Sequence, residues 1–239
     1  MTRTDKQQEI VEMFDHISST YDRLNRILSF GVDRSWRRKG CLEAFKIFGK
    51  PCGTLLDVAS GTGDLMLFWR KASCRLNLPI DRAICIDPSA KMLDIARKKV
   101  KDAEFLQHRA TDIPLENAAA DLISISYGIR NVIEIDRAIG EFYRLLRPGG
   151  VLLILEFMNH KKQTLSDRAV SLYLFKILPA IGRLFSRDRR AYAYLPASIE
   201  RFLTAEELCE KLKKNGFEIA QVKDETFGVS TRFIARKPL

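Results

Sequence analysis

Apolar residues recur along this chain with two periods, and the change from one to the other divides it. Over residues 5–30 they fall three and four positions apart, with Ile10, Met13, Phe14 and Ile17 on one face, which predicts a helix. Arg34-Ser35-Trp36-Arg37-Arg38-Lys39 opens a second, basic helix towards Phe48, and Gly49-Lys50-Pro51-Cys52-Gly53 reads as a loop. From Thr54 onward short apolar runs alternate with amphipathic segments. Strands are expected at 54–59, 83–87, 104–108, 121–126 and 151–157. Between them lie helices at about 64–73, from Pro88-Ser89 to about Val100, and at about 134–146, the last halted by Arg147-Pro148-Gly149-Gly150. The run 151–155 is apolar on both faces, as a strand inside a parallel sheet requires.

Residues 160–200 break the alternation. Ala169 to Ile181 is mostly apolar but interrupted by Lys176 and Pro179, and Arg183, Arg187, Arg189 and Arg190 flank it. Thr204-Ala205-Glu206-Glu207 has capping-box spacing for a helix ending near Asn215-Gly216. Strands at about 217–224 and 229–236, joined through Thr226-Phe227-Gly228, read as an antiparallel pair. Strands alternating with helices imply an α/β fold whose parallel sheet binds ligands beyond the carboxyl ends of its strands. A five-strand parallel core with a closing antiparallel hairpin differs from the dinucleotide-binding arrangement.

Composition adds one pointer. With 40 Lys and Arg against 30 Asp and Glu, the net charge of +10 invites an anionic partner: nucleic acid, a membrane surface or an acidic substrate. The plain alternative is a basic, solvated surface. The cysteines (Cys41, Cys52, Cys74, Cys85, Cys209) are odd in number, scattered and without C-x-x-C, so they read as reduced thiols of a cytoplasmic protein. His16, His108 and His160 are far apart, and no metal site is expected. No signal-peptide pattern opens the chain, and no apolar run reaches the ~18–20 residues that span a bilayer.

Candidate chemistry concentrates at residues 54–64, Thr-Leu-Leu-Asp-Val-Ala-Ser-Gly-Thr-Gly-Asp. This is a strand, a glycine turn and a helix start. Gly61 and Gly63 admit positive φ and a close ligand, and the helix N-terminus presents free N–H groups. Asp57 ends the strand beneath the turn, and Asp87 lies 24 residues after Gly63, echoing the ribose-binding acid of nucleotide folds. Gly61-Thr62-Gly63 does not extend to G-x-G-x-x-G, which disfavours a dehydrogenase.

Longer stretches resemble one family. Tyr21-Asp22-Arg23-Leu24-Asn25 with Leu28-Ser29-Phe30-Gly31 and Trp36, Leu56 to Asp64, Ser124 to Val132, Tyr143 to Phe157, and Tyr192 to Ile199 are similar, in order, to signatures of the ubiquinone/menaquinone biosynthesis C-methyltransferases. The resemblance covers nearly the whole chain. It implies a class I methyltransferase fold: a mostly parallel seven-stranded sheet with helices on both faces, an antiparallel C-terminal edge, and a helical preface and cap. It implies a single domain over residues 1–239: a helical preface at 1–50, a cofactor-binding core at 54–157, a cap insertion at 160–200, and a C-terminal helix and strands at 201–239. Three positions depart from the pattern. Ala59 stands where the common class I loop has glycine, although this family shares the alanine; Asp33 replaces the signature's histidine; Arg109, with Asp112 three residues on, occupies the adenine-contacting position.

The implied donor is S-adenosylmethionine, held by Asp57, Gly61, Thr62, Gly63, Asp87, Arg109, Ala110 and Ser126. The implied acceptor is a polyprenyl hydroquinone, demethylmenaquinol in preference to the benzoquinol of ubiquinone synthesis. A hydroquinone carbon is nearly inert until its hydroxyl loses a proton, so a base or a cation favouring the phenolate is needed. Arg130 and Asn131 are expected to serve there, with Tyr21 and Asp22 folding over the acceptor. Asp22 is an alternative base, His16 a weaker one, and Asp112, Glu156 and Tyr194 are further site-lining candidates. Leu172 to Phe175, Ile177, Leu178, Leu184 and Phe185 would line a channel for the prenyl tail, and the cap arginines would touch anionic headgroups at the inner face of the membrane. A homodimer stays open. The competing readings are a nucleic-acid methyltransferase and a non-catalytic binding protein. Strand four ends in Ser126-Tyr127-Gly128 rather than a base-pocket motif, so no nucleic acid is expected, and the retained acids and Arg130-Asn131 argue for catalysis.

Overall fold

The computed structural model describes residues 3–159 and 189–239. The expectations for Leu172 to Leu178, Arg183, Leu184, Phe185 and Arg187 fall outside these residues. Helices α1 (Arg3–Leu28) and α2 (Asp33–Phe48) precede the sheet, joined by a turn in which Phe30 and Gly31 take φ of 49° and 74°. There follow β1 (Cys52–Val58), α3 (Asp64–Leu76), β2 (Ile80–Ile86), α4 (Ala90–Lys99), β3 (Glu104–Leu106) and β4 (Ala120–Ser126). After a 3-10 turn at Ile129–Asn131 come α5 (Ile135–Leu145), β5 (Leu146–Glu156), α6 (Arg189–Glu200), α7 (Ala205–Lys214), β6 (Glu218–Glu225) and β7 (Ser230–Arg236).

The strand order is β3-β2-β1-β4-β5-β7-β6. Pairing is parallel from β3 through β5, and β7 is antiparallel to both its neighbours. This is the class I methyltransferase arrangement. β1, β2 and β5 begin two or more residues before their apolar runs: β1 at Cys52, inside the expected loop, β2 at Ile80, and β5 at Leu146, where Ala120 pairs with Leu146 before the register shifts. Arg147 to Gly150 therefore ends α5 but does not separate it from the strand.

Side-chain alternation divides the core into two layers. Leu56, Val58, Ile123, Ile125, Leu152 and Ile154 face α5 and α7, meeting Ile139, Phe142, Leu208 and Leu212. Leu55, Cys85, Leu122, Val151, Leu153 and Leu155 face α2 and α3, meeting Trp36, Phe45, Met66 and Trp69. α1 joins neither layer; it packs beside α4, across the carboxyl ends of the parallel strands. No helix among the described residues is long and apolar enough to cross a membrane.

Candidate functional site

The turn after β1 carries three left-handed residues in five: Ala59, Gly61 and Gly63, with φ of 50°, 55° and 79°. Gly63 caps α3, and a Cβ there would lie 3.0 Å from Val100 Cγ2 and 3.2 Å from Ala96 Cβ. Glycine is thus required both by the backbone and by the close approach of α4. Asp87, just beyond β2, ties the turn down: its Oδ2 accepts the Gly61 N–H at 2.8 Å and its Oδ1 the Ser89 N–H at 2.9 Å. Burial raises the Asp87 carboxyl to about 6, against those two N–H donors. Asp57 is more deeply enclosed. Trp69 Nε1 donates to Ser124 Oγ at 3.0 Å, and Ser124 donates to Asp57 Oδ1 at 2.7 Å. Asp57 Oδ2 is buried with no hydrogen-bond partner, and burial raises this carboxyl to about 7.

Above the turn lies a cavity, open to solvent, that encloses ≈ 940 Å³ of space including the solvent at its mouth. Asp87, Pro88, Met92, Arg109 and Ala110 form one part of its wall; Ser126, Tyr127, Gly128 and Asn131 form another. α1 supplies Gln7, Ile10, Val11, Phe14 and Tyr21 to the lining. Polar contacts pin this helix along its length. Gln7 Nε2 donates to the Asn131 carbonyl and Gln7 Oε1 accepts the Ile133 N–H, each at 3.1 Å. Asp15 accepts from Ser89 Oγ and, at 3.3 Å, from the Lys91 N–H. Asp22 accepts from Thr62 Oγ1 at 2.6 Å and pairs with Lys99.

Gly61, Asp87, Arg109, Ala110, Ser126, Tyr21 and Asn131 line the cavity. Asp57, Thr62, Gly63, Asp22 and Arg130 are not among its lining residues. Thr62 turns to Asp22 and Lys99. Arg130 Nη1 donates to Glu156 Oε1 at 2.6 Å and to the Tyr127 carbonyl at 2.7 Å, in a buried pair. His16 and Asp112 are exposed and outside the lining. Tyr194 OH donates to Asn131 Oδ1 at 2.9 Å.

Several residues here carried no expectation. Arg26 bridges Asp33 and Asp64, Lys99 bridges Asp22 and Asp64, and Asp33 also accepts from Ser29 Oγ at 2.8 Å. Burial would raise Asp64, but Lys99, Arg37 and Arg26 hold it below the ordinary carboxylate value. The Asp33 departure from the family pattern thus seats a charge network between α1, α2 and the turn. Arg37 Nη1 donates to Ser126 Oγ at 2.7 Å, and its guanidinium lies 5.0 Å from the Tyr127 ring centre. Tyr127, with φ of 58°, stacks on Phe157 at 4.7 Å, and Arg130 lies 5.4 Å from the Phe157 ring. Two buried guanidinium groups therefore bracket one aromatic pair. The available signal was the i,i+4 spacing of Asp33 and Arg37, masked by neighbouring Arg34, Arg38 and Lys39.

The model of the ubiE/COQ5 methyltransferase family matches residues 1–237. The ubiquinone/menaquinone biosynthesis C-methyltransferase UbiE of Campylobacter jejuni is 44% identical over 232 residues, 97% of this chain and 99% of that protein. The demethylmenaquinone methyltransferase of Chlorobaculum tepidum is 35% identical over 238 residues, 99% of this chain and 96% of that one. Among solved structures, a SAM-dependent methyltransferase from Thermotoga maritima superposes with a TM-score of 0.60 at 20% identity, covering 95% of this chain and 99% of that one. That likeness bears on the fold alone.

Proposed function

The chain belongs to the ubiE/COQ5 methyltransferase family, and from that premise we propose that it methylates a ring carbon of a polyprenyl hydroquinone. Demethylmenaquinol is the first substrate and the corresponding benzoquinol the second, since relatives of both names align over nearly the full length. S-adenosylmethionine, when bound, supplies an electrophilic methyl group on a sulfonium sulfur.

The residues present suit that donor. Asp87 keeps acceptor capacity after binding the Gly61 and Ser89 N–H groups, enough for two ribose hydroxyls. The unpartnered, buried Oδ2 of Asp57 matches a cationic ammonium group. Pro88 and Met92 give the wall beside Arg109 and Ala110 an apolar surface for a purine.

At the other wall, Tyr21 and Asn131 face the acceptor, and Tyr194 fixes the Asn131 amide. Asp22 anchors α1, and with it Tyr21, to the turn rather than acting as the base. Arg130, balanced by Glu156, fixes the turn that carries Asn131. Covering by α1 keeps reactants close and water out. Contact of the basic and apolar 160–200 segment with an anionic membrane belongs to the same reading, and vesicle co-sedimentation tests it.

The observation that carries the reading is one cavity joining Asp87 and the glycine turn to Tyr21, Ser126 and Asn131. Purified protein with S-adenosylmethionine and either reduced quinol should yield a product one methyl heavier by mass spectrometry. No product from either quinol sinks it.

A further inference from the structure

Ser126 is part of the cavity wall, and a buried cation donates to its hydroxyl oxygen. Ser126 lines the cavity, while Arg37 is only 6% exposed and donates from Nη1 to Ser126 Oγ at 2.7 Å. A serine oxygen has one hydrogen to give and two lone pairs. Arg37 takes a lone pair, and no acceptor among the described residues takes the hydrogen. The hydroxyl hydrogen is therefore free to point into the cavity.

Of the two guanidinium groups that bracket Tyr127 and Phe157, Arg37 has the more distant ion-pair partner. Arg130 has Glu156 at 2.6 Å. Arg37 has Asp33 at 3.5 Å from its Nε, a carboxylate shared with Arg26 and Ser29, and the Nε of each guanidinium is buried without a hydrogen bond. A hydroxyl whose oxygen accepts from a buried cation is a stronger donor than an ordinary serine.

We propose that Ser126 is a catalytic hydrogen-bond donor to the ring oxygen adjacent to the methylated carbon, and that Arg37 is the positioning residue that orients and polarises it. The proposal rests on the quinol reading above. In the transfer, the ring carbon bonds to the methyl group as the methyl–sulfur bond breaks, and that bond's electron pair goes to sulfur. Charge on the ring oxygen flows into the ring, and the ring hydrogen leaves as a proton to water. The donor acts before this step, when the oxygen carries the charge: it lowers the pH at which the bound quinol ionises.

A specific signature follows. Ser126→Ala should move the rise of kcat with pH upward by roughly one to two units, the worth of a charge-assisted hydrogen bond. At pH 7 turnover should fall on the order of ten- to a hundredfold, and it should recover at high pH, where the quinol ionises unaided. Ser126→Thr should keep the wild-type profile. Other charged or titratable groups around this point are Tyr21 from α1, Asp33 from α2, Asp57 from β1, Asp64 from α3, Tyr127 after β4 and Glu156 of β5. Asp57 titrates at about 7, so Asp57→Asn is profiled alongside. Arg37→Gln should shift the profile in the same direction; it also loses the Asp33 contact, so the Ser126 pair decides if that variant does not fold.

A Ser126→Ala profile that is uniformly depressed without moving assigns a structural role and overturns the proposal. So does a fall in S-adenosylhomocysteine affinity by calorimetry with no shift, because the hydroxyl then serves the donor. Wild-type protein inactive on both quinols overturns the function above and this inference with it; an active wild type with an unmoved Ser126→Ala profile overturns this inference alone.

Discussion

A methyl group on Gly128 would sit 2.5 Å from the Cβ of Ala59. The alanine that departs from the common class I loop is thus matched by a glycine beyond β4. Gly128→Ala should cost about 1–3 kcal/mol through overpacking, and adding Ala59→Gly should recover most of it, measured as a denaturant double-mutant cycle. Asp57 gives a pH prediction. Its carboxyl is raised to about 7, against an ordinary 3.8, so between those values the native state holds a proton that the unfolded chain has released. The contribution of this group to ligand-free stability therefore falls as pH rises through about 7. Binding a cationic ammonium needs the ionised form, so donor affinity should rise over the same range. Both slopes should flatten in Asp57→Asn, by thermal melts and calorimetry. Arg130 is expected from sequence at the site; it lies outside the cavity lining, and its pairing with Glu156 is not legible in sequence. Arg130→Ala leaves Glu156, 0% exposed, without its cation, and should destabilise the fold by about 3–5 kcal/mol, read by urea unfolding.

At the scale of elements, α1 is attached by polar contacts where the other helices are held by burial. Val11 and Ile17 are its buried apolar residues among those described, while Gln7, Asp15 and Asp22 each reach a different part of the core. Such attachments are worth about 1 kcal/mol each, so the helix should open without unfolding the sheet. Asp15→Ala should speed both donor release and amide exchange in α1, leaving exchange in β1 and β4 unchanged; equal acceleration in the strands would refute separate opening. α7 is different in kind. Its capping box was readable from four residues, and Thr204 and Glu207 exchange both bonds, at 3.2 and 2.8 Å. Thr204→Ala should cost about 1 kcal/mol by thermal denaturation. Helix starts, glycine turns and strand-end acids are legible because local chemistry decides them. The place of Asp87, Ser126 and Asn131 at the cavity follows from that, since topology gathers the strand ends there. Arg37 and Lys99 were not legible: Arg34, Arg38 and Lys39 look the same in sequence, and only the docking of α2 on α3 and β5 decides which cation is buried.

Across the whole molecule, the +10 charge does not extend to the charges beside the turn, where Arg26, Arg37 and Lys99 balance Asp22, Asp33 and Asp64. Strand directions were readable, but the order at the closing edge was not, because hairpin pairing alone does not say which strand meets β5. The answer, β5-β7-β6, has a consequence for how the protein is made. A ribosome produces β6 before β7, yet among the described residues β6 pairs with the sheet only through β7. During synthesis the nascent sheet therefore ends at β5, with the apolar run 151–155 exposed as an unpaired edge until the later strand arrives. A chain stopped after Gly228 is arrested at that stage. It should aggregate when expressed, and a separate peptide spanning 229–239 should rescue its solubility by filling the gap.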